Sequence, residues 1–133
     1  MIEITKKTYD TMIDHAKKGY PNEACGIVGS KAGGVLDEFF PMRNTDESSI
    51  SYFMDPKEQL NVFKKMRELG IEMKGIFHSH VASEAYPSQK DIRLAFYSEL
   101  SYLIVSLSDM KKPVLRSFKI NEEKVTEEEI KIA

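Results

Sequence analysis

Gly75-Ile76-Phe77-His78-Ser79-His80, followed by Val81-Ala82-Ser83-Glu84-Ala85-Tyr86-Pro87-Ser88-Gln89-Lys90-Asp91, is the stretch on which this chain turns. An apolar run of strand character ends in two histidines one residue apart. Side chains at i and i+2 of a strand point to the same side, so His78 and His80 can converge on one ion while Ser79 faces away. Pro87 prepares a helix start, and Ser88-Gln89-Lys90-Asp91 puts a carboxylate in the first turn of that helix. Two imidazoles, one carboxylate and room for water make the open three-ligand arrangement of catalytic zinc. The pattern points to a zinc hydrolase.

On the N-terminal side, Asp55-Pro56-Lys57-Glu58 reads as a helix start, with a capping Asp, Pro at the first position and Glu three residues after the cap. That helix runs through Leu60, Phe63, Met66 and Leu69 to a terminating Gly70, and a strand over Met73–His80 follows. Ala24–Gly29 and Val35–Met42 read as a β-hairpin connected through Lys31-Ala32-Gly33-Gly34. Ile2 and Ile4 suggest a short opening strand. Thr5 then caps a helix whose apolar positions Tyr9, Met12, Ile13, Ala16 and Tyr20 keep the helical period until Gly19 and Pro21 stop it. Arg43 to Ser51 is a polar loop.

On the C-terminal side, a short helix from Ser88 is expected to bury Ile92, Ala95 and Phe96. Tyr102–Leu107 is apolar throughout, as in a strand covered on both faces, and Val114–Ile120 is a further strand. Residues 121–133 are acidic, anchored only by Val125, Ile130 and Ile132, and are left open between a strand, a short helix and a loosely ordered tail. Three helical patterns among about six strands imply an α/β fold, a mixed sheet covered by helices. With 133 residues, the expectation is one domain spanning 1–133.

Composition narrows the function classes. Hydrophobic content of 41% with 30% charged residues is that of a globular chain. Nineteen basic against 21 acidic residues, a net charge of -2, give nucleic-acid binding no global electrostatic support. Cys25 is the single cysteine, which excludes an intramolecular disulfide framework. No span approaches the length of an apolar membrane helix, and Met1-Ile2-Glu3-Ile4-Thr5-Lys6 lacks the apolar core of a signal peptide. The expected location is cytoplasmic, with no nucleic acid and no membrane as partner.

Each candidate residue also has a bland role. His15 lies on the polar side of the first helix and is expected at the surface. Ser88 and Asp91 resemble a capping box, worth about 1 kcal/mol without any chemistry; an ionised carboxylate at a helix N-terminus is equally ready to bind metal. Glu23 opens the apolar strand Glu23-Ala24-Cys25-Gly26-Ile27-Val28-Gly29, where a carboxylate is costly unless it has a role or a partner. A hydrolase needs such a base, to take a proton from water and hand it to the leaving amine. Cys25 should share a face with Glu23 and reads as a small buried thiol, with a zinc ligand or redox-sensitive group as the sharper alternative. Gly26 and Gly29 allow close backbone approach or mark a bulge.

Glu23, then His78-Ser79-His80, seven residues, and Ser88-x-x-Asp91 together resemble the signature of the JAMM (MPN+) zinc metalloprotease family. Pro21-Asn22-Glu23-Ala24-Cys25-Gly26 is similar to the segment around that family's catalytic glutamate, and Asn44 with Tyr52-Phe53-Met54-Asp55-Pro56 to its mid-domain pattern. The likeness extends over roughly Ile2 to Ile120. It implies that His78, His80 and Asp91 bind one Zn2+ per chain, that Glu23 is the general acid/base and that Ser88 stabilises the oxyanion. It implies a curved mixed β-sheet flanked by helices, a cytidine-deaminase-like fold. The deaminase signature itself, His-x-Glu with Pro-Cys-x-x-Cys, is absent.

Members of that family remove ubiquitin or a ubiquitin-like protein by cutting after its C-terminal glycines. The short His80–Ser88 spacing, without the inserts that grip two ubiquitins, is similar to the compact prokaryotic single-domain members. The implied activity is hydrolysis of the amide or isopeptide bond after the C-terminal Gly-Gly of a ubiquitin-like modifier or sulfur-carrier protein. A non-catalytic module that binds such tails and a small-molecule amidohydrolase are the alternatives.

Overall fold

Strands β2 (Cys25–Ser30) and β4 (Glu72–His80) run antiparallel, side by side, within a six-stranded mixed sheet. They belong to a computed structural model that describes residues 1–31 and 33–133. Ala32, expected in the hairpin turn, lies outside the described residues. The remaining strands are β3 (Glu38–Met42), β5 (Ser101–Ser106), β6 (Val114–Asn121) and β7 (Lys124–Glu128), in the order β3-β2-β4-β5-β6-β7. Within this sheet, among the described residues, β4 and β5 are the one parallel pair, with His78 beside Ile104 and His80 beside Ser106. The short β1 (Ile2–Ile4) and β8 (Ile130–Ile132) form a separate parallel pair. Residues 121–133 therefore continue as the β6–β7 turn, β7 and β8, the strand alternative of the three left open.

The helices follow their end signals. In α1 (Lys6–Gly19) the Thr5 side chain accepts from the Thr8 N–H. In α2 (Pro56–Leu69) Asp55 accepts from Lys57 N–H, and Gly70 closes the helix with φ of +69°, a left-handed conformation that glycine adopts at least cost. Glu58 does not complete a box with Asp55. Its carboxylate accepts from Arg43 N–H at 3.1 Å instead, holding the start of the 43–51 loop.

Both faces of the sheet are covered. On one, α1 packs Met12 and Ala16 against Val28, Phe77, Leu103 and Val105. On the other, Met66 of α2 closes over Cys25, Ile27 and Met42, while Ile104, Phe118 and Ile120 continue that layer. This explains the uniformly apolar β5, buried at every residue. Gly26 is required by close packing: a Cβ there would lie 2.6 Å from the Phe39 ring. Gly29 sits where the β2–β4 register shifts, a bulge. No helix among the described residues is long and apolar enough to cross a membrane.

Two expectations need correction. α3 spans only Gln89–Arg93 and buries no residue; Phe96 lies beyond its end and is 74% exposed. Ile92 and Ala95 do pack, half-buried, against the layer of Ile104, Phe118 and Ile120, but a single helical turn ends too soon to carry Phe96 inward with them. His15 is half-buried, not at the surface: its Nε2–H donates to the Cys25 carbonyl at 3.0 Å, and its ring meets Phe39 edge-on.

Candidate active site

His78 and His80 end β4 on the face that carries Ile76, and both are buried, at 2% and 4% exposure. Asp91 comes from the first turn of α3. The three donor atoms form a triangle. His78 Nε2 lies 3.1 Å from His80 Nε2, and each lies 3.1 Å from Asp91 Oδ2. Zinc bonds of about 2.0–2.2 Å at a tetrahedral angle set neighbouring donors about 3.3–3.6 Å apart. The triangle is slightly tighter than that and otherwise fits.

The hydrogen bonds behind the triangle fix its chemistry. His80 Nδ1 is 2.8 Å from the Glu84 carbonyl, which can only accept, so Nδ1 carries the proton and Nε2 turns a lone pair inward. Ser88 and Asp91 make both halves of a capping box: Asp91 N–H donates to Ser88 Oγ at 3.1 Å, and Ser88 N–H to Asp91 Oδ2 at 2.9 Å. The bland role of this pair and its place beside the histidines coexist. Burial works against the Asp91 charge, but the two imidazoles at 3.1 Å and the Ser88 N–H hold its carboxyl well below the usual carboxylate range. Burial lowers His78; at His80 it is outweighed by Asp91 and the Glu84 carbonyl, which raise it. His78 Nδ1 is buried with no hydrogen-bond partner among the described residues, and its ring stacks on Tyr52 at 4.7 Å between centroids. Two ring nitrogens and a carboxylate oxygen, all within hydrogen-bond distance of one another, make a donor set that could hold a small divalent cation.

Glu23 precedes β2 and is 6% exposed, yet it stays outside the triangle. Burial, reinforced by the Asp91 charge and opposed by His80 and Lys90, pushes its carboxyl up to about 7. Its backbone is held from two sides. Glu23 N–H donates to the Ser48 carbonyl, and Asn44 Nδ2 donates to the Glu23 carbonyl at 2.9 Å. Next to it, Ala24 and Ser79 form a double clasp: Ala24 N–H to Ser79 Oγ at 2.8 Å, and Ser79 N–H to the Ala24 carbonyl at 2.9 Å. Ser79 does face away from its two histidine neighbours, and this is where it goes.

Cys25 keeps its bland role. Its thiol is fully buried against the Met42 carbonyl, outside the triangle, and burial pushes it up to about 12. Local sequence patterns give Ser79 no partner, and Asn44 and Tyr52 enter there only through the resemblance.

A mixed sheet with a two-histidine, one-carboxylate cluster at the end of an interior strand describes an α/β domain whose cluster is compatible with one metal ion. The chain belongs to the prokaryotic homologs of the JAB domain, whose family model matches residues 5–121. It is 37% identical to the CysO-cysteine peptidase of Mycobacterium tuberculosis over 92% of this chain and 85% of that protein. It is 39% identical to the desampylase of Pyrococcus furiosus over 53% of this chain and 49% of that protein. The solution structure of protein DSY2949 from Desulfitobacterium hafniense superposes with a TM-score of 0.91 at 46% identity, covering 100% of this chain and 93% of that one.

Proposed function

We propose that the chain is a single-domain, cytoplasmic zinc peptidase that cuts the amide or isopeptide bond after the C-terminal Gly-Gly of a ubiquitin-like modifier or sulfur-carrier protein. One observation carries this: the 3.1 Å triangle of His78, His80 and Asp91. The names of the related peptidase and desampylase support the class of substrate. His78, His80 and Asp91 would hold one zinc ion. When bound, zinc supplies Lewis acidity, making a water molecule a usable nucleophile near neutral pH and polarising the substrate carbonyl.

The residues of the chain do the rest. Glu23, buried and with its carboxyl near 7, is poised to accept the proton of the attacking water and return it to the leaving nitrogen. Asn44 and the Ala24–Ser79 clasp keep that carboxylate in register with the end of β4. Ser88 Oγ already accepts from Asp91 N–H, and its own O–H donates to no group among the described residues. That hydrogen is free for the oxygen on which charge develops.

The test is a mass-spectrometric cleavage assay on a ubiquitin-fold carrier ending in Gly-Gly joined to an amine, with and without chelator. Metal-dependent release of the carrier with a free glycine carboxylate is the expected result. A tail that binds equally well with and without metal, and is never cut, would replace the enzyme reading with a binding module.

A further inference from the structure

Beside the triangle the same sheet face continues into an apolar cleft of about 250 Å³. Ile76, Ile104 and Ile120 form its floor, and His78 and Asp91 its inner end. Its walls are aromatic, with Tyr52 and Phe53 from one segment and Phe96 and Tyr97 from the other. Tyr97 N–H donates to the Tyr102 hydroxyl at 3.1 Å, tying the segment after α3 to β5. An apolar cavity of about 150 Å³ already accommodates benzene. This cleft has room for one large aliphatic or aromatic side chain. Lys90 also lines it, is exposed, and makes no ion pair among the described residues.

We propose that this cleft binds the group leaving on the amine side of the scissile bond, and that this group is an α-amino acid with a large uncharged side chain whose free carboxylate meets Lys90. The inference rests on the Gly-Gly reading above. Under that reading the two acyl residues nearest the bond have no side chains. The third lies about 7 Å further back, at ~3.3–3.6 Å per extended residue. A cleft that opens directly on His78 and Asp91 is therefore filled from the amine side. A lysine in isopeptide linkage to a protein would bring an aliphatic chain but no carboxylate at that point. The apolar floor rejects a charged side chain, which would lose its hydration without a partner. In the reaction, the water oxygen bonds to the glycine carbonyl carbon, the C–N bond breaks and the nitrogen takes up a proton. The products are the carrier's glycine carboxylate and the free amino acid.

The experiment uses the full chain loaded with zinc and a ubiquitin-fold carrier extended after Gly-Gly by one residue. Leucine and phenylalanine adducts should be cut with kcat/KM at least about tenfold above glycine, glutamate and lysine adducts. A leucinamide adduct should be slower than the leucine adduct by about threefold to fivefold, the scale of an exposed charge pair. Lys90→Met should erase that leucine–leucinamide difference while keeping the apolar preference; Phe96→Ala should weaken the apolar preference. Both side chains are exposed, so folding is not at issue. Without turnover, free leucine should shift the NMR signals of Phe96 and Tyr97 more than leucinamide or glutamate does. Equal rates for all leaving groups, a preference for an Nε-linked lysine, or discrimination set by the third acyl residue would overturn the cleft assignment and leave the peptidase reading intact. Failure to cut any adduct would remove both.

Discussion

Asn44 Nδ2 donates to the carbonyl of Glu23 at 2.9 Å, so a loop side chain holds the backbone of the candidate base. The same amide donates to the Ser51 carbonyl, and its oxygen accepts from Asp46 and Phe53 N–H. All its hydrogen-bonding capacity is spent on backbone groups. Asn44→Ala leaves those groups unpaired, and a few of them stay buried. We expect a stability loss of about 2–4 kcal/mol and a fall in turnover, with zinc content unchanged. Denaturant unfolding and elemental analysis on one preparation check both parts.

Removing a ligand should act on metal first. His78→Ala, His80→Ala and Asp91→Ala each delete one corner of the triangle and should each cut zinc occupancy sharply. Asp91→Ala also loses half of the capping box, so its metal-free form should be less stable than metal-free wild type by about 1 kcal/mol. Full zinc content in a His78→Ala/His80→Ala double variant would sink the ligand assignment.

Glu23→Gln separates base from ligand. Zinc and tail binding should persist, while turnover falls at least about 10²-fold. The same variant reports on pH. The Glu23 carboxyl is raised from 4.5 to about 7, so the folded state holds its proton where the unfolded chain has released it. Metal-free wild type should therefore lose stability as pH rises through that interval, and the glutamine variant should lack this slope. At about pH 8 the variant should be the more stable by roughly 1–3 kcal/mol, with little difference at about pH 4. Parallel slopes in chelated samples would mean that Glu23 is not a buried proton carrier.

Ser88→Ala distinguishes a cap from an oxyanion donor. Loss of the cap alone costs about 1 kcal/mol of stability. Loss of a donor to the developing oxyanion slows turnover by roughly 10²–10³-fold. The Ser88 N–H bond to Asp91 survives the substitution, so zinc should stay. Melting temperature moving without rate would leave only the cap.

Local signals made much of this architecture legible. Thr5, Asp55 and Gly70 mark helix ends through groups only a few residues away, and His78 and His80 share a face because a strand alternates. The contacts that hold Glu23 are different in kind. Asn44 reaches across 21 residues and Ser79 across 55, and nothing in their neighbourhoods announces those partners. His15 fails for a related reason: a helical wheel shows a polar position, but not that the Cys25 carbonyl waits opposite. Phe96 misled because helical spacing continues in the sequence after α3 has ended. The pairing of β8 with β1 depends on opposite ends of the chain and has no local trace.

The clasp between Ala24 and Ser79 also bears on how the protein comes apart. It joins β4 to the residue that leads into β2, where both strands lie inside the sheet. Fraying at an edge strand or a loop therefore leaves these two amides protected, since freeing them requires pulling β2 away from β4. Their hydrogens should exchange with deuterium only through global unfolding, at the slow limit for the whole molecule. Partial opening elsewhere would then leave the candidate base and the histidines together, and any loss of activity on heating that precedes complete unfolding should start at α3, the unburied turn that carries Asp91.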